Sequence, residues 1–234
     1  MARLAPLPTL HDKLKGKNQM NLTKPLATAI TGGLGSPSKM PGHSWGIPAS
    51  TCQVGGMLKD QAGTQCAICY ADRGRYRFQN VQERLWTALE CFNMQAEADR
   101  LYRWSEAMAH LINGTGDRWF RWFHSGDLQS AEMARAIYEA CRLTPKVKHW
   151  MPTRERRHIR FAGEPPKNLT IRWSGSLIDG DPPAWAKNCS VISSGPRRHG
   201  RRCPAHMQGN ACGDCRACWD QRVTVIEYET NNVN

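Results

Sequence analysis

R-W-F-R-W-F-H at residues 118–124, closed by Ser125-Gly126-Asp127, is the stretch that decides the fold. Its alternation is the period of a strand whose side chains point to opposite faces. Residues 130–143 follow with Met133, Ala136, Ile137 and Ala140 at helical spacing, and residues 147–151 read as the next strand. A strand, a helix and a strand in that order predict a parallel pair joined by a right-handed crossover.

The same pattern extends outward. Upstream, residues 44–48 (S-W-G-I-P) read as a short strand, and a long loop carrying three cysteines follows. From residue 78 to 112 the period becomes helical, with Val81, Leu85, Leu89 and Phe92 on one face. A second helix there holds Leu101, Trp104, Met108 and Leu111, with Asn113-Gly114 as its stop. Downstream, residues 153–161 read as a short basic helix or loop, and residues 169–174 and 189–193 as strands. Five strands are too few for an eight-fold barrel, so the expected fold is α/β, a partial, open β/α barrel. Three segments are expected: residues 1–40 as an irregular arm, 41–200 as the partial barrel, and 201–234 as a Cys-rich metal-binding extension.

In such a sheet the site lies at the carboxyl ends of the strands. The three-cysteine loop, Ser125-Gly126-Asp127, Thr153-Arg154, Ser174-Gly175-Ser176 and Ser193-Ser194-Gly195 all follow strands and are expected to converge. Glycine permits close backbone approach to a ligand, and Ser or Asp supplies hydrogen bonds. Gly126, Asp127, Arg154 and Ser174 are therefore the candidate ligand-binding residues. For Asp127 two readings stand, a partner for a ligand amine or a cap on the next helix. Arg154 reads either as a bidentate partner for carboxylate or phosphate or as a solvated charge. His124, at the end of its strand, reads as a site residue or as a core histidine.

The chain has 234 residues, with 32 Lys and Arg against 20 Asp and Glu, a formal charge of +12. That balance suggests an acidic partner, most simply nucleic acid or a nucleotide. Two basic runs carry much of it, Arg154, Arg156, Arg157, His158 and Arg160, and Arg197, Arg198, His199, Arg201 and Arg202. No apolar run approaches the roughly eighteen residues of a membrane span. The amino-terminal stretch lacks a leader's apolar core, so a cytoplasmic setting with reduced thiols is expected.

Seven of the ten cysteines fall in two groups. Cys52, Cys66 and Cys69 form one, and Cys203, Cys212, Cys215 and Cys218 the other. Thiolates select zinc or iron–sulfur clusters. For the first group a [4Fe–4S] cluster stands beside a structural zinc completed by His43 or a C-terminal cysteine. For the second, the overlapping C-x-x-C-x-x-C favours another [4Fe–4S] cluster, with zinc as the alternative. In a third arrangement, one C-terminal cysteine completes the first cluster and closes it. Cys91, Cys141 and Cys189 read as small buried apolar residues. The nine tryptophans read mostly as core, with base stacking open to any that is exposed.

A strand, a three-cysteine loop ending C-A-I-C-Y-A and a second strand ending in a Gly-acid turn resemble the opening of radical S-adenosylmethionine enzymes. That resemblance implies that Cys52, Cys66 and Cys69 hold a [4Fe–4S] cluster with one iron open to S-adenosylmethionine. It also implies that Gly126 and Asp127 contact the cofactor's amino group, and that an electron donor serves as partner. Thirteen residues separate Cys52 from Cys66, where that superfamily usually has C-x-x-x-C-x-x-C. G-H-S-W-G-I-P-A-S-T-C, R-W-F-H-S-G-D-L-Q-S and C-G-D-C-R-A-C-W together resemble a bacteriophage family known as gene product eighty-eight. This implies a phage origin and the host cytoplasm. Two functions follow as expectations: a radical enzyme acting on a nucleotide or nucleic acid, or a non-catalytic, metal-stabilised nucleic-acid-binding protein.

Overall fold

The computed structural model describes residues 21–196 and 199–230. Among them, seven strands form one sheet in the order β1-β2-β3-β4-β5-β7-β6, and every pairing is parallel. The strands are β1 (Ser44–Trp45), β2 (Trp119–Trp122), β3 (Lys148–Thr153), β4 (Leu169–Ile178), β5 (Cys189–Ser193), β6 (Arg201–Arg202) and β7 (Val225–Glu229). The sheet is not closed. The helices are α1 (Lys24–Thr31), α2 (Gln53–Lys59), α3 (Gln79–Glu97), α4 (Leu101–Thr115), α5 (Ala131–Arg142) and α6 (Arg156–Ala162). From β1 to β5 the order never reverses, and right-handed crossovers then place the connecting helices on one face.

That face carries the core. Trp45, Phe120, Trp122 and Met151 from the strands meet Phe92, Trp104, Met108, Met133 and Ile137 from the helices, all nearly free of solvent. Trp45 and Phe92 each meet Trp104 edge to face with centroids 5.3 Å apart, the offset geometry that aromatic quadrupoles favour. Helix α5 starts where Ser130 Oγ accepts the Met133 N–H, and α4 ends where Gly116, at φ 74°, takes the left-handed cap. His149 also lies in this layer, stacked on Trp122 with centroids 6.0 Å apart. Thr144 Oγ donates to the Ala140 carbonyl, so it accepts from His149 Nε2 at 2.8 Å, which makes the imidazole the neutral Nε2–H form.

The opposite face is covered by the C-terminal segment. Trp219 packs against Trp119 and Trp150, and its indole N–H donates to the Phe120 carbonyl. Arg172, on β4, is fully buried and, among the described residues, makes no salt bridge. Its guanidinium instead donates to the carbonyls of Ala217, Cys218, Asp220 and Val223 at 2.8–2.9 Å, with a longer bond to Cys189. A planar five-donor group suits such a ring of acceptors.

The structure departs from the sequence reading in several places. In the expected irregular arm, Lys24–Thr31 is a helix, started by the Thr23 cap and Pro25 and held by the Trp45 indole on the Thr31 carbonyl. The first twenty residues, with Arg197 and Arg198 of the second basic run, lie outside the described residues. Helix α4 runs through Asn113-Gly114 to Thr115, because the left-handed cap falls at Gly116. Strand β4 extends past residue 174, since residues beyond it pair with the cysteine loop. Two strands went unforeseen: β7 inserts beside β5, and β6 pairs with β7. The C-terminal residues thus belong to the sheet, because Arg172 and Trp219 bind that segment to its inner face. None of the described helices is long and apolar enough to cross a membrane.

Burial pushes the His149 pKa down to about 3, whereas a solvated histidine titrates near ~6.5. Between those values the unfolded chain binds the extra proton, so stability falls as pH drops through that window. In His149→Gln the urea midpoint should fall less between pH values of about 7.5 and 5.5 than in the wild type; equal falls would show that the imidazole does not titrate on unfolding. Arg172→Met should lower stability by several kcal/mol, about 1–3 for each carbonyl left without a donor. It should also open residues 203–224 to limited proteolysis, and wild-type resistance in that variant would contradict the bracing role.

Candidate functional site

Above the carboxyl ends of the strands sits the three-cysteine loop, and the sheet grips it at several points. Glu155 Oε1 accepts the Val54 N–H at 2.8 Å. Arg154 Nη2 donates to Gln65 Oε1 and to the Gly175 carbonyl, both at 2.8 Å. The Gln65 N–H donates to the Ser176 carbonyl, and Thr64 bridges Leu177. This last contact exists because the β4–β5 register shifts between Ser174 and Ile178, freeing β4 backbone for the loop. At the far side, Tyr70 donates its hydroxyl to the His124 carbonyl and accepts from Arg121 Nη2, each at 2.7 Å.

Between loop and sheet lies a cavity of about 280 Å³. Cys52, Cys66 and Cys69 line its roof, Gly126, Asp127 and Arg154 its strand-end rim, and Ser174, Ser190, Arg121 and Tyr228 its walls. All the sequence-derived ligand residues and all three cysteines of the first group therefore meet in one space. The chain runs close to the sulfurs here. A Cβ on Gly55 would stand 3.0 Å from the Cys52 Cβ and 3.5 and 3.7 Å from the Cys66 and Cys52 sulfurs. Gly126, at φ 76°, is equally constrained, since a Cβ would come within 2.4 Å of Ile47 Cγ1.

Electrostatics tie the group together. Burial raises the Cys52 thiol pKa most, and Asp127, Cys69, Cys66 and Glu155 add to it. Burial likewise raises Cys66, against the pull of Arg154, and Cys69, against the Ala71 N–H. A soft cation bound there would displace the thiol protons. Asp127 is pushed up to about 6 by burial, partly offset by bonds from Thr153 Oγ1, the Arg154 N–H and the Leu128 N–H. It braces the ends of β2 and β3 and does not cap α5, a role taken by Ser130. His124 is partly buried and does not line the cavity; desolvation, with Arg121 and Arg84, lowers its pKa to about 3, so it is neutral. Among the described residues, four buried polar atoms on cavity-lining side chains have no hydrogen-bond partner: Ser125 Oγ, Arg121 Nε, Trp150 Nε1 and Arg154 Nε. Unpaired polar atoms cost stability, and those beside a cavity suit a polar ligand.

The second cysteine group lies apart. Cys203 is raised by burial and by Cys212 and Cys215, and Cys218 is pushed up to about 12 by burial, with Cys203 and Cys212 adding. The cysteines that influence each thiol belong to its own group. Tyr228 stands between the groups: it lines the cavity, and its hydroxyl is 3.3 Å from the Cys218 sulfur. Among the described residues no three His, Cys, Asp or Glu side chains converge to hold one metal ion. A [4Fe–4S] cluster asks for a wider spacing, because each thiolate binds a different iron. The donor chemistry of Cys52, Cys66 and Cys69 around a shared cavity fits such a cluster. His43, the sequence candidate for a fourth ligand, is paired with Asp117 at 2.6 Å.

Sequence reading missed Glu155, Gln65, Arg121, Ser190 and Tyr228. Glu155 sat beside Arg154 in a visible post-strand motif, but its partner is about a hundred residues away in sequence. Tyr228 had a usable signal, the alternation V-I-E-Y-E at Val225–Glu229. Cys91, Cys141 and Cys189 are buried as expected.

Comparison with curated proteins finds no match, and comparison with solved structures finds none either. A family model described as Gene product 88 matches residues 12–221. The match spans most of the chain, and the protein belongs to the bacteriophage Gene product 88 family.

Proposed function

We propose that this protein is an iron–sulfur enzyme of the radical S-adenosylmethionine kind, acting on a nucleotide or nucleic acid. The observation that carries the reading is the cavity: three thiols on its roof and unpaired polar atoms along its rim and walls. Cys52, Cys66 and Cys69 would hold a [4Fe–4S] cluster, and three protein ligands for four irons leave one iron for a small molecule. That group, when bound, supplies one-electron reduction of a sulfonium. The strand order without reversal and the helices on one face support a partial barrel around the site.

The chain's own residues do the rest. Arg154 has one Nη spent on Gln65 and Gly175, while its Nε faces no partner and suits a ligand carboxylate. Ser125, Ser174 and Ser190 offer hydroxyls to hydroxyl or amino groups. Asp127 holds the β2 and β3 ends in register beneath the ligand and keeps a carboxylate oxygen at the cavity. Arg121, partly buried, adds a positive charge to the cavity wall. Cys203, Cys212, Cys215 and Cys218 would hold a second cluster, with Arg172 and Tyr228 against Cys218.

Anaerobic reconstitution with iron and sulfide counts, followed by low-temperature EPR, tests this. About eight irons per chain are expected, as two [4Fe–4S] clusters require, and one signal should shift on adding S-adenosylmethionine. Cys66→Ala should lose about half the iron together with the shift, leaving the second signal in place. Zinc in place of iron, or an unshifted spectrum, would overturn the enzymatic reading and leave metal-stabilised nucleic-acid binding.

A further inference from the structure

At the start of α6 an arginine and a tryptophan form an exposed stack. Trp185, in the β4–β5 connection, is 51 % exposed. The Arg156 guanidinium lies 4.2 Å from its ring centroid. Trp173 meets the ring edge to face with centroids 4.9 Å apart, so the indole is held by its own packing while half of it stays exposed. Other arginines surround it: Arg157 and Arg160 are exposed on the same short helix, α6. Among the described residues none of Arg156, Arg157 and Arg160 makes a salt bridge. Of the aspartates in the Trp185 loop, Asp179 accepts from Ser194, and Asp181 is exposed, 3.6 Å from His199.

The stack is also coupled to the site. Arg154 lines the cavity, Glu155 bonds the Val54 N–H just after Cys52, and Arg156 follows at once. His158 adds a second tie, 3.2 Å from the Gln53 side chain. The start of α6, which carries Arg156, is therefore tied to the start of the three-cysteine loop.

We propose that Arg156 and Trp185 form a stacking platform for a base of single-stranded nucleic acid, with Arg157 and Arg160 binding the adjacent phosphates. This deepens the nucleic-acid reading above and rests on it. Every base has a π face that stacks on an indole or on a guanidinium plane. Unpaired arginines one helical turn apart match a phosphate backbone, and their contacts are salt-dependent. Single strands suit the platform better than duplex, because in a duplex the bases are already stacked and their faces are unavailable. The platform sets where the strand lies and leaves the choice of reacting atom to the cavity.

Fluorescence anisotropy of the full chain with a labelled oligothymidylate of about 20 nucleotides tests the proposal, with a duplex of equal length alongside. Trp185→Ala should weaken single-strand binding about tenfold or more, and Trp185→Phe should restore most of it. The pair Arg157→Gln and Arg160→Gln should weaken binding and flatten its salt dependence by about two phosphate contacts. Trp86→Ala, which removes another exposed tryptophan (43 %) on α3, should leave binding unchanged. Wild-type affinity in both Trp185→Ala and Arg156→Gln would overturn the platform, as would absence of single-strand binding at about 50 mM salt or equal affinity for duplex. If circular dichroism shows Trp185→Ala misfolded, Arg156→Gln and Trp185→Phe decide. The assay needs no S-adenosylmethionine, so its failure leaves the EPR test of the cluster standing, and an unshifted EPR spectrum leaves the platform standing.

Discussion

A buried arginine bonded to backbone carbonyls holds this structure together. Arg172 points from the middle of the sheet into a ring of backbone carbonyls supplied mainly by residues 217–223. A charge taken out of water is costly, and here the carbonyl dipoles, with the Asp220 carboxylate nearby, offset the loss. The consequence is topological. With the segment bound to the inner face, β7 can insert beside β5 and carry Tyr228 to the cavity wall. Without that anchor the last strand would have no reason to return to the sheet.

The cavity is thus enclosed from two sides by segments distant in sequence. The three-cysteine loop forms its roof, held through Glu155, Arg154 and the irregular end of β4. The C-terminal segment closes the lower part of the same face through Trp219. Both carry cysteines, and Tyr228 and Arg121 stand between them. A ligand in the cavity would contact residues that also touch the second cysteine group, which gives the two groups a physical route of communication.

Much of the fold was legible from local pattern. The strands at Trp119–Trp122 and Cys189–Ser193 and the helix at Ala131–Arg142 follow directly from periodicity and capping. Helix α1 was missed because Lys, Pro and Gly dominate the composition around it, while the deciding features are the Thr23 cap and the contact with Trp45. Strand β7 was missed because a short charged alternation after a cysteine run has no local marker of the strand it joins. At the site, the rule that ligands lie at carboxyl ends of parallel strands brought Gly126, Asp127, Arg154 and Ser174 together correctly in space. It could not tell that the Asp127 carboxylate is largely occupied in bracing two strands.

By itself the sequence determined the residue chemistry: two cysteine groups, a strongly basic surface, and parallel β/α units whose polar turns share one edge. These follow from residue type and short-range period, which act within a few positions. Only the tertiary structure decided which tryptophan is exposed, that Arg156 lies over it, that Tyr228 faces the cavity, and that Arg172 serves backbone carbonyls. Each of these depends on residues far apart in the chain, and burial and pairing are properties of that packing, not of any single stretch.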